Sequence, residues 1–212
     1  MKSQYKLLLF DMDGTIADTD EMVYLSFVEL YKRYGEGHSR PREEIMYFSG
    51  PPIRDTLLKE FPNKDQKELQ QAFVDISDPL YDEVVTIYPH QIETLEYLFE
   101  QGYKMAVVTN KATYKAYYVL KLLGLEKFFS FVIGREDVVK SKPNGEGILT
   151  AMNKAGFLKQ ETLYIGDNDI DYLTATDAGV DCMLVNWGPR ELKLLDKAKY
   201  VISKYEEMEE VL

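Results

Sequence analysis

The chain has 212 residues, 45% of them apolar and 29% charged, the balance of a soluble globular protein rather than a disordered one. Its formal charge of −11 opposes the phosphate-backbone attraction that drives nucleic-acid binding, and no run approaches the ~20 apolar residues of a membrane span. The one cysteine, Cys182, excludes an internal disulfide and reads as a small apolar residue in a strand.

The first predicted strand, "YKLLLF", ends at Phe10 and runs straight into "DMDGT". Its few apolar residues meet acidic ones without the longer apolar region of a secretory signal, which predicts a cytoplasmic protein. Helical patterns follow in "DEMVYLSFVELYKRYG", "PREEIMYFSG", "IRDTLLKEF" and "KDQKELQQAFVDISDPLYDEV", separated by Gly and Pro. The next strand, "KMAVVT", ends at Thr109, too far along for a single crossover helix. Residues 18–86 are therefore predicted to form a helical cap domain inserted into a core domain of residues 1–17 and 87–212. Its hinges fall near Ile16–Thr19 and Thr86–Pro89.

The remaining strands are "FSFVI" ending at Ile133, "TLYIG" ending at Gly166, "CMLVN" ending at Asn186 and "KYVIS" ending at Ser203. Amphipathic segments such as "IETLEYLFEQG" and "YKAYYVLKLLGL" lie among them, with Gly102 and Gly124 as terminators. This alternation predicts an α/β fold, a Rossmann-like doubly wound parallel sheet. The 16 tyrosines invite a stacking site for nucleotides or sugars, but the helical spacing in "FVELYKRY" and "YKAYYVL" predicts packing residues.

In such a sheet the ligand lies outside the carboxyl ends of the strands, where this sequence places its unusual polar residues. The first strand delivers Asp11 and Asp13, and the second Thr109 and Asn110. The loop after the third delivers Lys142 before Pro143, and the fourth delivers Asp167 and then Asp171 in "GDNDIDYLTA". Two carboxylates one residue apart demand a positive partner, either a cation or placed Lys and Arg. "DNDID" resembles the start of a calcium loop, but Tyr172 and Ala178 stand where that loop needs Gly and Glu. No G-x-S-x-G elbow, Walker A loop or dinucleotide glycine fingerprint is present.

"DMDGT", "VVTN", "KP" and "GDNDID", in this order with a helical insert after the first, resemble the haloacid dehalogenase superfamily, in its helical-cap branch, subfamily IA. The resemblance implies that Asp11 attacks phosphorus to form an aspartyl-phosphate and that Asp13 is the general acid and base. It implies Mg²⁺ held by Asp11, the backbone carbonyl of Asp13 and Asp167. Thr109 and Asn110 would hold the transferring oxygens, Lys142 would offset charge, and Asp171 would orient Lys142 or the metal's water shell. The physics agrees, because a carboxylate attacks a polyanionic phosphoryl group only when a cation offsets the repulsion.

An acid at Asp13 disfavours dehalogenation, which needs no proton for its leaving group. "FSGPPIRDTL" resembles the cap loop of phosphoglycolate phosphatases and bacterial pyrophosphatases, with Arg54 placed to meet a second anionic group and Lys111 as another candidate. The implied substrate is a small phosphorylated metabolite, a phosphoglycolate-like monoester or pyrophosphate, acted on by a monomer or homodimer. A β-phosphoglucomutase-like sugar phosphomutase and a phospho-accepting signalling module are the alternatives.

Overall fold

The computed structural model describes residues 3–212, so the first two residues of the predicted core segment 1–17 lie outside the described residues. Strand β1 (Leu7–Phe10) is a continuous apolar run with every residue buried, as a strand covered on both faces requires. Four helices follow, α1 (Asp20–Tyr34), the single turn α2 (Arg42–Ile45), α3 (Ile53–Glu60) and α4 (Gln66–Val84). The chain then alternates α5 (Gln91–Glu100), β2 (Lys104–Val108), α6 (Thr113–Leu122), β3 (Val132–Ile133), α7 (Glu146–Ala155), β4 (Thr162–Gly166), α8 (Asp169–Ala178), β5 (Asp181–Val185), β6 (Tyr200–Ile202) and α9 (Glu207–Val211).

The six strands form one parallel sheet in the order β3-β2-β1-β4-β5-β6. Alternation of side chains splits the core in two. Leu8, Phe10, Met105, Val107, Leu163, Ile165 and Met183 pack on one face, while Leu7, Leu9, Ala106, Val108, Tyr164, Cys182 and Leu184 pack on the other. Each Leu, Ile, Val, Met or Phe among them contributes roughly 1.5–3 kcal/mol on burial, which fixes the register of the sheet and the place where β1 ends. That end lies between β4 and β2, at the position where the strand order reverses and a doubly wound sheet opens a crevice.

The segments entering and leaving α1–α4 touch each other. Asp18 N–H donates to the Thr86 carbonyl at 2.9 Å and Thr86 N–H donates back to Asp18 at 3.3 Å, an isolated antiparallel bridge. Helix α4 packs on α1 and α3, with Phe27, Leu57 and Leu69 fully buried. Among the described residues, no helix is long and apolar enough to cross a membrane.

Candidate active site

Asp11 follows the last residue of β1, and its N–H still donates to the Ile165 carbonyl of β4 at 2.8 Å. The Lys142 ammonium lies 2.9 Å from Asp11 Oδ2 and 2.6 Å from Asp171 Oδ1, and it reaches the Tyr164 hydroxyl at 3.3 Å. Three donors thus meet three acceptors around a fully enclosed ammonium. Tyr164 in turn donates to the Val108 carbonyl at 2.9 Å, tying the group to β2.

Asp171 is placed by the start of α8. Asn168 caps that helix, accepting from Ile170 N–H at 3.2 Å, while Asp171 Oδ2 accepts from Asn168 N–H at 3.0 Å. This reciprocal box fixes Asp171 at the third position of the helix, with its carboxylate turned back to the cap. Gly166 lies so close beneath that any side chain there would overlap Asp171.

Asp167 accepts from the Thr15 hydroxyl at 3.1 Å and pairs through Oδ2 with the Arg190 guanidinium. The turn after Asp13 makes this approach possible. Gly14 has φ +82°, and a Cβ there would overlap the Asp167 carboxylate and come within 2.7 Å of Arg190 Nη2. Trp187 Nε1–H donates to the Gly14 carbonyl at 2.9 Å, and the Tyr205 hydroxyl to that of Thr15 at 2.8 Å, strapping the turn to the core.

Burial raises Asp11 from 3.8 to about 6 against the pull of Lys142, and it raises Asp167 to about 6 against the pull of Arg190. Asp171 moves in the same direction, mainly through burial. For Lys142, burial alone would favour the neutral amine, but Asp11 and then Asp171 outweigh it and hold the group charged. Ligand atoms of Asp11, Asp167 and Asp171 lie within 4.8 Å of one another. Asp11 Oδ1 is buried without a hydrogen-bond partner, and the three carboxylates are the hard oxygen donors Mg²⁺ prefers, so these residues fit a divalent cation.

A cavity of about 200 Å³ opens above Asp11 and Asp13, between the sheet's carboxyl edge and the insert. Thr109, Asn110 and Lys111 line it from the core, and Phe48, Phe73 and Tyr81 from the insert. The Lys111 ammonium reaches Asp13 Oδ2 and the Tyr81 hydroxyl, each at 2.8 Å. Asn110 works through its side chain, accepting from Lys142 N–H at 2.9 Å and donating to the Gly50 carbonyl at 3.3 Å.

The sequence reading places Arg54 at this site, and the structure does not. Arg54 is exposed in the first turn of α3, pairs with its neighbour Asp55 at 3.3 Å, and is absent from the cavity lining, where the arginine is Arg135. The tyrosines of "YKAYYVL" also differ from expectation. Tyr114, Tyr117 and Tyr118 are exposed on α6, because the buried stripe of that helix is Ala116, Val119 and Leu120. Tyr31 of "FVELYKRY" is buried as expected.

Arg190, Thr15, Tyr81 and the side chain of Asn110 are the contacts that sequence reasoning misses. Arg190 follows "WGP" in a loop with no periodicity, and its partners lie 23 and 170 residues away. The one signal the sequence carries is that this Trp-Gly-Pro loop follows directly on the carboxyl end of a strand.

A parallel sheet of this order carries these polar residues at its carboxyl edge, and the family comparison places it among hydrolases. The family model described as "Haloacid dehalogenase-like hydrolase" matches residues 8–185, and the chain belongs to that family. It is an enzyme of the phosphatase type. The pyrophosphatase PpaX of Halalkalibacterium halodurans is 35% identical over 183 residues, covering 86% of this chain and 84% of the relative. Among solved structures, a haloacid dehalogenase-like family hydrolase from Streptococcus pneumoniae superposes with TM-score 0.87 at 24% identity, covering 98% of each chain. A predicted phosphoglycolate phosphatase from Haemophilus somnus superposes with TM-score 0.88 at 23% identity, covering 100% of this chain and 99% of that one. These two likenesses show the fold.

Proposed function

We propose that the enzyme is a Mg²⁺-dependent phosphatase that hydrolyses a small phosphorylated metabolite, a phosphoglycolate-like monoester or pyrophosphate, through an aspartyl-phosphate on Asp11. The observation that carries this reading is the Asp11 carboxylate itself. One oxygen is held by Lys142, the other has no partner, and the residue lines the cavity.

An Asp11 oxygen attacks phosphorus and the bond to the leaving oxygen breaks. Asp13 Oδ1, which is buried and unpaired, donates a proton to that leaving oxygen. Asp13 then takes a proton from the water that attacks the aspartyl-phosphate, releasing phosphate and restoring Asp11. Lys142 offsets negative charge on the nucleophile, and Asp171 holds Lys142 in place. Thr109 and the Asn110 N–H hold the transferring oxygens, while Lys111 orients Asp13 and adds positive charge beside the substrate. Asp11, the Asp13 carbonyl and Asp167 would hold Mg²⁺, which supplies charge neutralisation between carboxylate and phosphoryl group. Residues 18–86 serve as the cap that excludes water and faces the substrate.

The test is phosphate release from p-nitrophenyl phosphate, pyrophosphate, phosphoglycolate and hexose phosphates, with and without Mg²⁺. Turnover abolished by EDTA and by Asp11→Asn supports the reading. Turnover that survives Asp11→Asn overturns it.

A further inference from the structure

Arg190 belongs to two parts of the molecule at once. Its side chain is buried, with Nη2 on Asp167 Oδ2, Nη1 2.8 Å from Asp20 Oδ1 and 3.0 Å from the Met46 carbonyl. Asp167 sits at the end of β4, whereas Asp20 opens α1 and Met46 follows α2 in the insert. The next residue extends the contact, because Glu191 N–H donates to the Tyr47 hydroxyl at 3.1 Å. The buried charges around the site comprise the carboxylates Asp11, Asp167 and Asp171, the ammonium of Lys142 and this guanidinium. Arg190 is thus an internal cation already placed on a carboxylate that fits a divalent ion.

We propose that Arg190 is a positioning residue that competes with the divalent cation for Asp167 and so couples cation binding to the docking of the insert. This rests on the reading of Asp167 as a metal ligand. A guanidinium and a divalent cation attract the same carboxylate and repel each other, and in an enclosed site that repulsion is weakly screened. Cation binding therefore loosens the Arg190–Asp167 contact. Asp20 and the Met46 carbonyl pull the guanidinium the other way, toward the insert. Reciprocity requires that the position of the insert change the affinity of the site for the cation by the same factor.

The two ends of the bridge predict opposite effects. Arg190→Gln removes the competitor, and Mg²⁺ binds about tenfold or more tightly. Asp20→Asn removes the pull toward the insert, and Mg²⁺ binds more weakly. Introduced together, Asp20→Asn has no further effect in the Arg190→Gln background, because its influence runs through the guanidinium.

The measurement is Mg²⁺ titration of the full chain by calorimetry, with fluorescence of Trp187, the only tryptophan and three residues from Arg190, as a second readout. Amide exchange in residues 20–48 gives a third, with Mg²⁺ slowing exchange there in the wild type and not in Arg190→Gln. Arg190→Lys, which keeps a charge, covers the case in which the glutamine variant fails to fold, and it should bind Mg²⁺ within a few fold of wild type. Unchanged or weaker Mg²⁺ binding by folded Arg190→Gln, or an equal effect of Asp20→Asn in both backgrounds, overturns the inference and leaves the phosphatase reading intact. Absence of Mg²⁺ binding by the wild type overturns the metal reading and this inference together.

Discussion

The Lys111 ammonium lies 2.8 Å from the Asp13 carboxylate and the same distance from the Tyr81 hydroxyl, so one side chain of the core fixes Asp13 and meets the insert in a single contact. Tyr81 sits on α4, and two more contacts join α4 to α6, Lys115 with Asp78 and the Tyr118 hydroxyl with Asp82, each at 2.7 Å. Lys111→Met should lower kcat about 10- to 100-fold by releasing Asp13, and Tyr81→Phe should cost less, because the Lys111–Asp13 pair survives. Steady-state kinetics checks both. An equal loss in the two variants would mean that docking of α4, rather than the position of Asp13, limits the rate.

Asp11 and Asp13 have separable roles. Asp11→Asn should lower turnover by at least about 10³-fold, since an amide oxygen is a far weaker nucleophile than the carboxylate it replaces. Asp13→Asn should cost about 10²- to 10⁴-fold with poor leaving groups and spare the first step with p-nitrophenyl phosphate, whose leaving group needs no proton. Rapid-quench measurement should then show a burst of about one p-nitrophenol per enzyme followed by slow release of phosphate. A linear trace with no burst would remove Asp13 from the second step.

The raised carboxylates set a pH dependence of stability. Burial moves Asp11 and Asp167 from 3.8 to about 6, so between those values the folded chain holds protons that the unfolded chain has released. Excess protons in the folded state make their contribution to stability fall as pH rises through that window. Asp167→Asn removes one such group. Its melting temperature in EDTA should gain on the wild type as pH goes from roughly 4 to 7, and Mg²⁺ should raise the wild-type value more at pH 7 than at pH 5. A constant difference between variant and wild type across that range would contradict the assignment.

Gly14→Ala should be among the most damaging single changes in the chain. The residue has φ +82°, and an added Cβ would overlap the Asp167 carboxylate and approach Arg190. Strain and displacement together should cost about 2–4 kcal/mol and weaken divalent-cation binding. Chemical denaturation and Mg²⁺ titration measure the two effects. Gly102→Ala, also at positive φ but with open space around the Cβ, should show only the modest backbone cost.

The strands were legible because each is an apolar run with polar residues just beyond it, as in "LLLF", "MAVV" and "LYIG", whereas their order in the sheet appears only in the fold. Asp11, Thr109 and Asp167 stood out for the same physical reason, since a polar group at the end of a buried strand needs a purpose, and Lys142 stood out in the "KP" of the loop after the third strand. Arg190 did not, because a long side chain in an aperiodic loop reveals its partners only when the fold is closed. Arg54 misled the reading because a helix start exposes its first-turn side chains as readily as it directs them inward. The tyrosines of α6 misled it because helical spacing selects a face without saying which face is covered.

The Asp18–Thr86 bridge has a consequence for how such a molecule could diversify. Because the chain leaves the sheet and returns to it at one pair of hydrogen-bonded residues, the intervening helices join the sheet covalently at one place, with side-chain contacts such as Lys111–Tyr81 and Arg190–Asp20 tying them to it elsewhere. A turn of a few residues could close the gap between those two positions, and a different helical module could be spliced there, without disturbing a strand of the sheet. Asp11 and Asp167 sit on strand ends outside that splice, whereas Asn110, Lys111 and Arg190, which touch residues 18–86, would register the exchange.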